Sequence, residues 1–259
     1  MEHGRRLAQG MNRAGERWSL IARAAVAAVW FASGLVSGGE PVERRPASNP
    51  TGLQVGVNVE GLPKLPPGTE KWAKEGALAS ADLNWAKAKE AYARILKVAP
   101  DHPLALSNLA AVEFQLGNVT EATRMLERAV QLEPRIAQNW LTLGIIAWKQ
   151  GSLHLAMSHL ARALHEDPGD PRAHNYLGVV IRELGWKTGA ETELQRALIL
   201  DPGYADAHFN LAVMYLDQDP PLIELARRHY YAAVDYGAAP DPQVEAKLKA
   251  VDAAAGQEQ

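Results

Sequence analysis

The 259-residue chain places a helix-ending residue at one fixed interval. Prolines recur every 34 residues, at Pro100, Pro134, Pro168 and Pro202. Because proline lacks a backbone N–H and its ring clashes with the preceding turn, each of them predicts the end of a helix at the same phase. The interval leaves room for two helices of about 13 residues and two short connections. The spacing therefore predicts a stack of antiparallel helix pairs.

Further columns keep the same step and contain residue types that suit such pairs. A small column in the first helix and an alanine column in the second predict a close crossing, since larger side chains would push the helices apart. Bulky residues would fill the space around that crossing, and a glycine column predicts the end of each first helix, where a left-handed cap costs glycine least. The columns are Gly76, Ala110, Gly144, Gly178 and Ala212; Ala88, Ala122, Ala156 and Ala190; Tyr92, Leu126, Leu160 and Leu194; and Gly117, Gly151 and Gly185.

Taken together, these columns resemble the tetratricopeptide repeat, which combines Trp, Leu-Gly, Ala, an aromatic residue and Pro within 34 residues. Trp140, Leu143, Gly144, Ala156, Leu160, Ala163 and Pro168 occupy those places in the third unit. The resemblance implies an all-α, right-handed superhelical solenoid whose concave face is lined by the first helix of each pair. It covers residues 69–238 as five repeats, 69–102, 103–136, 137–170, 171–204 and 205–238.

The fifth repeat and the segment after it depart from the pattern. Ala226, Tyr230 and Ala233 fit the columns only if two residues are inserted within residues 217–221. Pro220 or Pro221 is then expected to begin the second helix, a position at which proline is tolerated. In residues 239–259, Asp241 as N-cap and Pro242 as the first helical residue predict a C-terminal capping helix followed by a frayed tail.

The N-terminal residues predict export. In residues 1–38, an arginine-rich head precedes a 13-residue apolar run, Ala24–Val36, and then small residues, which is typical of a secretory signal peptide. An uncleaved anchor through residues 20–38 and a buried or amphipathic segment remain alternatives, because a spanning helix needs about 20 apolar residues. Residues 39–68 are rich in Pro and Gly and predict a linker, of which residues 53–62 could fold back into the groove.

Composition and motifs argue against catalysis and against nucleic-acid binding. The net charge is −3, without a basic stripe, and the absence of cysteine excludes disulfides, thiolate metal sites and cysteine nucleophiles. The sequence contains no phosphate-binding loop, dinucleotide fingerprint, zinc-protease motif or nucleophile elbow. Helix pairs and their cap take up the chain from Glu70 onward, which leaves no room for a catalytic domain. We therefore expect a non-enzymatic protein without a metal or cofactor.

The resemblance assigns partner binding to the concave face, position by position. Phe114, Trp148 and Arg182 share one column there, and Trp and Arg are over-represented at binding hot spots. Asparagines at neighbouring positions could bind a partner's backbone, although packing between repeats or solvation would also explain these residues. The predicted partner-binding residues are Asn108, Phe114, Thr142, Trp148, Asn175, Tyr176, Arg182 and Asn210.

Together with the N-terminal segment, the resemblance implies a scaffold or assembly factor in a bacterial-type cell envelope, periplasmic or anchored to the membrane. It would hold a partner peptide or helix in the concave groove. The alternative is a structural repeat protein that assembles with itself and holds no peptide, and the sequence leaves the oligomeric state open. The carboxylate clamp of one family subtype is not expected, because only Asn108 occupies one of its positions.

Overall fold

The computed structural model describes residues 64–255, and this part of the chain consists of eleven α-helices without a strand. The predicted signal or anchor segment and most of the predicted linker lie outside the described residues. Within the described part, no helix combines the length and apolarity that crossing a membrane requires. The helices are α1 (Glu70–Ala81), α2 (Trp85–Val98), α3 (Pro103–Gln115), α4 (Val119–Leu132), α5 (Ala137–Lys149), α6 (Leu153–Glu166), α7 (Pro171–Glu183), α8 (Lys187–Leu200), α9 (Ala205–Leu216), α10 (Ile223–Asp235) and α11 (Pro242–Ala255).

The helices belong to two compact units, an N-terminal unit that extends to Arg196 and a C-terminal unit that begins at Ala197. In the N-terminal unit, α1 packs on α2, α3 on α4, and α5 on α6, as the 34-residue spacing predicts. Each second helix also packs on the first helix of the following pair, so that α2 contacts α3, α4 contacts α5 and α6 contacts α7. Apolar side chains are thereby buried both within and between repeats.

The close crossing predicted from the small column is confirmed. A Cβ atom on Gly144 would lie 2.7 Å from Cγ of Leu160, and one on Gly178 would lie 2.8 Å from Cγ of Leu194. Both leucines are fully buried. The two helices of a pair therefore approach so closely that the first helix has no space for a side chain at this position.

The predicted helix ends are also confirmed. Gly117, Gly151 and Gly185 follow the first helices with φ of 82°, 77° and 90°, a left-handed conformation that favours glycine. The second helices of the first four repeats end two residues before each proline of the 34-residue column. Each pair is therefore closed by the two residue types that its sequence repeats at these places.

A hydrogen bond links the start of several first helices to the preceding connection. The Trp140 Nε1 donates to the carbonyl oxygen of the proline six residues earlier, at 2.7 Å. His174 and His208 occupy the same column, and their Nε2 atoms bond the equivalent proline carbonyls at 3.2 Å and 3.1 Å. The column thus requires a ring that carries an N–H, which explains why histidine replaces tryptophan here.

The end of the predicted linker is fixed to the first repeats. The His102 ring donates from Nε2 to the carbonyl oxygen of Lys64 at 3.0 Å, and its Nδ1 accepts from the Ala105 N–H at the start of α3. Leu65 packs against the apolar core of these repeats. The possibility that residues 53–62 occupy the groove lies outside the described residues and stays a prediction.

In the C-terminal unit, the prediction that Pro220 or Pro221 begins the second helix is wrong. The helix α10 begins at Ile223, and the prolines belong to the connection that precedes it. The N–H of Leu222 donates to the Tyr215 carbonyl at 3.0 Å, which holds the end of this connection against α9. The predicted two-residue insertion is nevertheless supported, since the three column residues of α10, Ala226, Tyr230 and Ala233, are all fully buried.

The helix α11 begins at Pro242, as the sequence predicts. Asp241 caps it, because its Oδ1 accepts from the Gln243 N–H at 2.8 Å. The Asp241 N–H in turn donates to the hydroxyl oxygen of Tyr230 at 2.8 Å, and Val244 and Leu248 are buried. A buried tyrosine of α10 therefore fixes the first residue of the last helix.

Asp206→Asn is expected to stabilise the protein near pH 8. Burial raises the pKa of Asp206 from 3.8 to about 6, and a hydrogen bond with Tyr204 offsets only part of this rise. Because the folded pKa exceeds the unfolded one, the stability that the neutral carboxyl supplies is complete below about pH 4 and is lost as the pH rises through about 6. We expect a gain of about 2 kcal/mol for the variant near pH 8 and none near pH 4.

The measurement is a pair of urea titrations of the full chain and its Asp206→Asn variant across this pH range. The difference between their midpoints isolates Asp206 from the other groups that titrate. A gain that stays the same at both ends of the range would contradict the assignment.

Candidate functional site

The candidate site is the first-helix face of the N-terminal unit, which we define as the surface formed by the residues of α3, α5 and α7 that the family resemblance places inward. The helices α5 and α7, first helices of consecutive repeats, contact each other directly. Asn108 and Phe114 lie on α3, Thr142 and Trp148 on α5, and Asn175, Tyr176 and Arg182 on α7. Asn210 lies on α9 of the C-terminal unit and is half-buried there.

Two aromatic side chains of this face each meet a charged side chain from the following repeat. The amine of Lys149 lies 5.1 Å from the ring centroid of Phe114. One repeat later, the Nε1 of Trp148 donates to Oε1 of Glu183 at 2.9 Å. Both rings are half-buried, whereas Lys149 and Glu183 are exposed. The face therefore combines aromatic surface that remains accessible with charges of opposite sign at two neighbouring places.

A second aromatic contact joins two repeats. The ring centroids of Trp148 and Tyr176 lie 5.9 Å apart with an angle of 57° between the ring planes. Such tilted contacts suit aromatic quadrupoles and hold the rings in defined positions. Since Trp148 also bonds Glu183, its side chain is held at its indole nitrogen and at its ring, and forms a preorganised element of the face.

A row of polar contacts runs beside the aromatic residues from α5 to α7. The Thr142 hydroxyl donates to the Gln138 carbonyl at 2.9 Å and accepts from the Gln138 side-chain amide at 3.2 Å. The other end of the same amide accepts from Nη2 of Arg172 at 2.8 Å, and this guanidinium pairs with Asp170 at 2.7 Å. Thr142 is thus occupied by its own helix, and Arg172 is neutralised within the protein.

The predicted asparagines are less accessible than the aromatic residues. Asn108 and Asn175 have only 7% and 2% of their surface exposed. A partner would touch little of either side chain in this arrangement. The aromatic residues therefore contribute more accessible surface to this face than the asparagines do.

Lys149 and Glu183 were not among the predicted partner-binding residues. They lie 34 residues apart, each directly after the column that contains Phe114, Trp148 and Arg182. That spacing was the available signal, but it does not reveal that each side chain reaches back to the preceding repeat. Lys149 forms no ion pair with a carboxylate of residues 64–255. Although most of its side chain is exposed, partial desolvation lowers the pKa of Lys149, because the amine lies against the Phe114 ring.

The described residues contain no group of three or more His, Asp or Glu side chains that could hold a metal ion. The polar atoms of the first-helix face are engaged with one another across repeats. This arrangement suits recognition of another chain, for which the accessible aromatic surface and the charges beside it are the chemically distinctive features.

Comparisons with known proteins agree with the repeat pattern. The family model of the tetratricopeptide repeat matches residues 74–135, 113–171, 141–205 and 182–244. A heat-shock protein cognate co-chaperone, sgt12 of Aspergillus fumigatus, is 30% identical over 111 residues, which is 41% of this chain. The chain spans about a third of that relative's length, 33%.

Solved structures show the same fold at low sequence identity. PilF of Pseudomonas aeruginosa is 18% identical with a TM-score of 0.61, and the match covers 68% of this chain and 79% of PilF. YrrB, described as a protein of this repeat type with an unusual peptide-binding site, is 24% identical with a TM-score of 0.52, covering 68% of this chain and 88% of YrrB. The all-α solenoid of helix pairs predicted from the sequence is thereby confirmed.

Proposed function

Because the chain belongs to the tetratricopeptide repeat family, we propose that it is a non-enzymatic scaffold that binds a partner protein on its first-helix face. The single observation that carries the proposal is the aromatic pair Phe114 and Trp148. Both rings are half-buried, they occupy equivalent places in consecutive repeats, and each is contacted by a charged residue of the next repeat. The ligand would be an extended peptide or a helix of the partner.

The energetics favour these rings as anchors. Completing the burial of a large apolar side chain contributes roughly 1.5 to 3 kcal/mol, and hot spots concentrate in aromatic residues that neighbours hold in place. Trp148 meets this condition through Glu183 and Tyr176. A partner would therefore spend little free energy on ordering this side chain.

The relatives support a protein partner. The co-chaperone matched over 111 residues acts, by its name, together with a chaperone, and YrrB is described as binding a peptide. Neither identifies the partner of this chain. They support the kind of ligand, which is another polypeptide.

The proposal extends to the location of the protein, which we place in a bacterial-type cell envelope. Its support is the arginine-rich head and the apolar run Ala24–Val36, which would act as a cleaved signal or as an anchor. N-terminal sequencing of the chain from fractionated cells tests it. A mature chain that begins after residue 36, or a full chain that stays in membranes after alkaline extraction, would support it, and an intact chain in the soluble interior would contradict it.

Site-specific photocrosslinking in cells tests the binding face. We expect benzoylphenylalanine in place of Phe114 to crosslink a partner, because this position faces the proposed ligand. The matched control has the same residue in place of Leu155, which is 52% exposed on the second helix α6. Crosslinks from Leu155 and none from Phe114 would refute the proposal. Crosslinks only between copies of this chain would instead favour the self-assembling alternative.

A further inference from the structure

We propose that the partner segment is acidic, with a Glu or Asp that binds Lys149 within four residues of a large apolar side chain that packs on Phe114 and Trp148. This inference rests on the proposed function, because it specifies the ligand of the same first-helix face. Its basis is the charge and contacts of Lys149, together with the opposite charge that follows one repeat later at Glu183.

Lys149 is a cation whose charge is not matched within the described chain. It forms no ion pair with a carboxylate of residues 64–255, although it lies on a face where other charges are engaged. Arg172 on the same face pairs with Asp170 at 2.7 Å. An anionic group from outside the chain would give Lys149 the partner that Arg172 already has.

The contact with Phe114 makes an anion more favourable at this place than at an ordinary surface lysine. With its amine 5.1 Å from the ring centroid, Lys149 has lost part of its hydration, and this loss disfavours the isolated charge. A carboxylate that donates no proton but accepts a charge-assisted hydrogen bond from the amine compensates for that loss. Because the ring lies directly beside the amine, the same ligand can place an apolar side chain next to its carboxylate.

Glu183 gives the face a direction. Its exposed carboxylate accepts from the Trp148 indole and carries a negative charge one repeat beyond Lys149. A ligand carboxylate at this second place would be repelled, and a basic or neutral group would not. The acidic residue of the ligand therefore lies toward α3 and α5, and the part of the ligand near α7 is neutral or basic.

The range of spacings follows from the chemistry of the two possible backbones. In an extended segment, residues two positions apart point to the same side, and in a helix residues three or four positions apart do so. In either conformation the acidic and apolar side chains that share one face lie within four residues of each other. A recognisable sequence pattern in the ligand follows.

A phage-displayed library of random linear dodecapeptides, selected on the purified full chain, tests the inference. We expect the selected peptides to contain Asp or Glu within four residues of a large apolar residue. A synthetic copy of a selected peptide is expected to bind the Lys149→Gln variant about tenfold more weakly, because one charge-assisted hydrogen bond is lost. Replacing the peptide's acidic residue by its amide should weaken binding to the unaltered chain similarly and cause no further loss in Lys149→Gln.

Two control variants separate the possible failures. Lys71→Gln removes a lysine whose amine also lies over an aromatic ring, 5.4 Å from the centroid of Trp72, but on α1, and it should bind as the unaltered chain does. Peptides that require Trp148 but show no acidic residue, and bind Lys149→Gln equally well, would overturn the inference while the proposed function stands. If no selected peptide loses affinity for Trp148→Ala, both are overturned.

Discussion

Gly144→Val is expected to lower the free energy of unfolding by about 3 kcal/mol, since overpacking of a tight core and a β-branched residue within a helix both destabilise. The new Cβ atom would lie 2.7 Å from Cγ of Leu160 and 3.4 Å from the Ala156 carbonyl oxygen. Cγ is the branch point of a fully buried side chain, so a simple rotation cannot move it away. Helix α5 would have to shift away from α6. The measurement is urea unfolding of the full chain, followed by circular dichroism.

Two further variants make this test specific. Gly169→Val places the same residue at an exposed glycine whose Cβ would meet only the Asp167 carboxylate, at 3.4 Å, and should cost less than about 0.5 kcal/mol. Leu160→Ala alone should cost about 3 kcal/mol through the cavity that it leaves. Because valine can enter that cavity, the double variant should lose at least about 1 kcal/mol less than the sum. Additive losses would show that the two residues do not share one crossing.

Trp148→Ala is expected to weaken binding of the partner segment by about 30-fold or more, which corresponds to the roughly 2 kcal/mol of a hot-spot residue. The variant removes the ring that contacts Tyr176 and the N–H that bonds Glu183. The measurement is fluorescence anisotropy of a labelled segment, taken from the partner region that crosslinks at Phe114. Trp148→Phe retains a ring but lacks the N–H, and an intermediate loss is expected.

Trp186→Ala is the matched control for this prediction. Trp186 is 56% exposed in the connection between α7 and α8, so it offers more accessible ring than Trp148 but lies outside the first-helix face. It should leave the affinity within about twofold. A larger loss from Trp186→Ala than from Trp148→Ala would move the site from the helix face to the edge formed by the connections.

Most of the fold could be predicted because the repeating residues meet local or nearly local requirements. Glycine at Gly151 permits the left-handed end of a helix, and Gly144 permits a close crossing with the helix that directly follows. Such requirements recur at the period of the structure and therefore at the period of the sequence. The start of α10 was predicted wrongly because a bond between the Leu222 N–H and the Tyr215 carbonyl shapes the connection, and no residue pattern announces that bond.

The candidate site was only partly predictable. The column of Phe114 and Trp148 follows from the period, whereas the reach of Lys149 and Glu183 into the preceding repeat depends on how first helices approach in space. Burial of the asparagines depends on the same geometry. The exchange of Trp140 for His174 in one column became intelligible only from the shared bond to a proline carbonyl, because the two side chains differ in size and polarity.

The measurement that tests the central claim most directly is affinity capture from a native extract that includes membranes. The baits are the full chain, a Trp148→Ala, Arg182→Glu variant and the Trp186→Ala control, each first shown to retain its helix content. The account expects one partner to be captured by the full chain and by Trp186→Ala and to be lost from the double variant. Capture of the same partners by all three baits would contradict binding on the first-helix face.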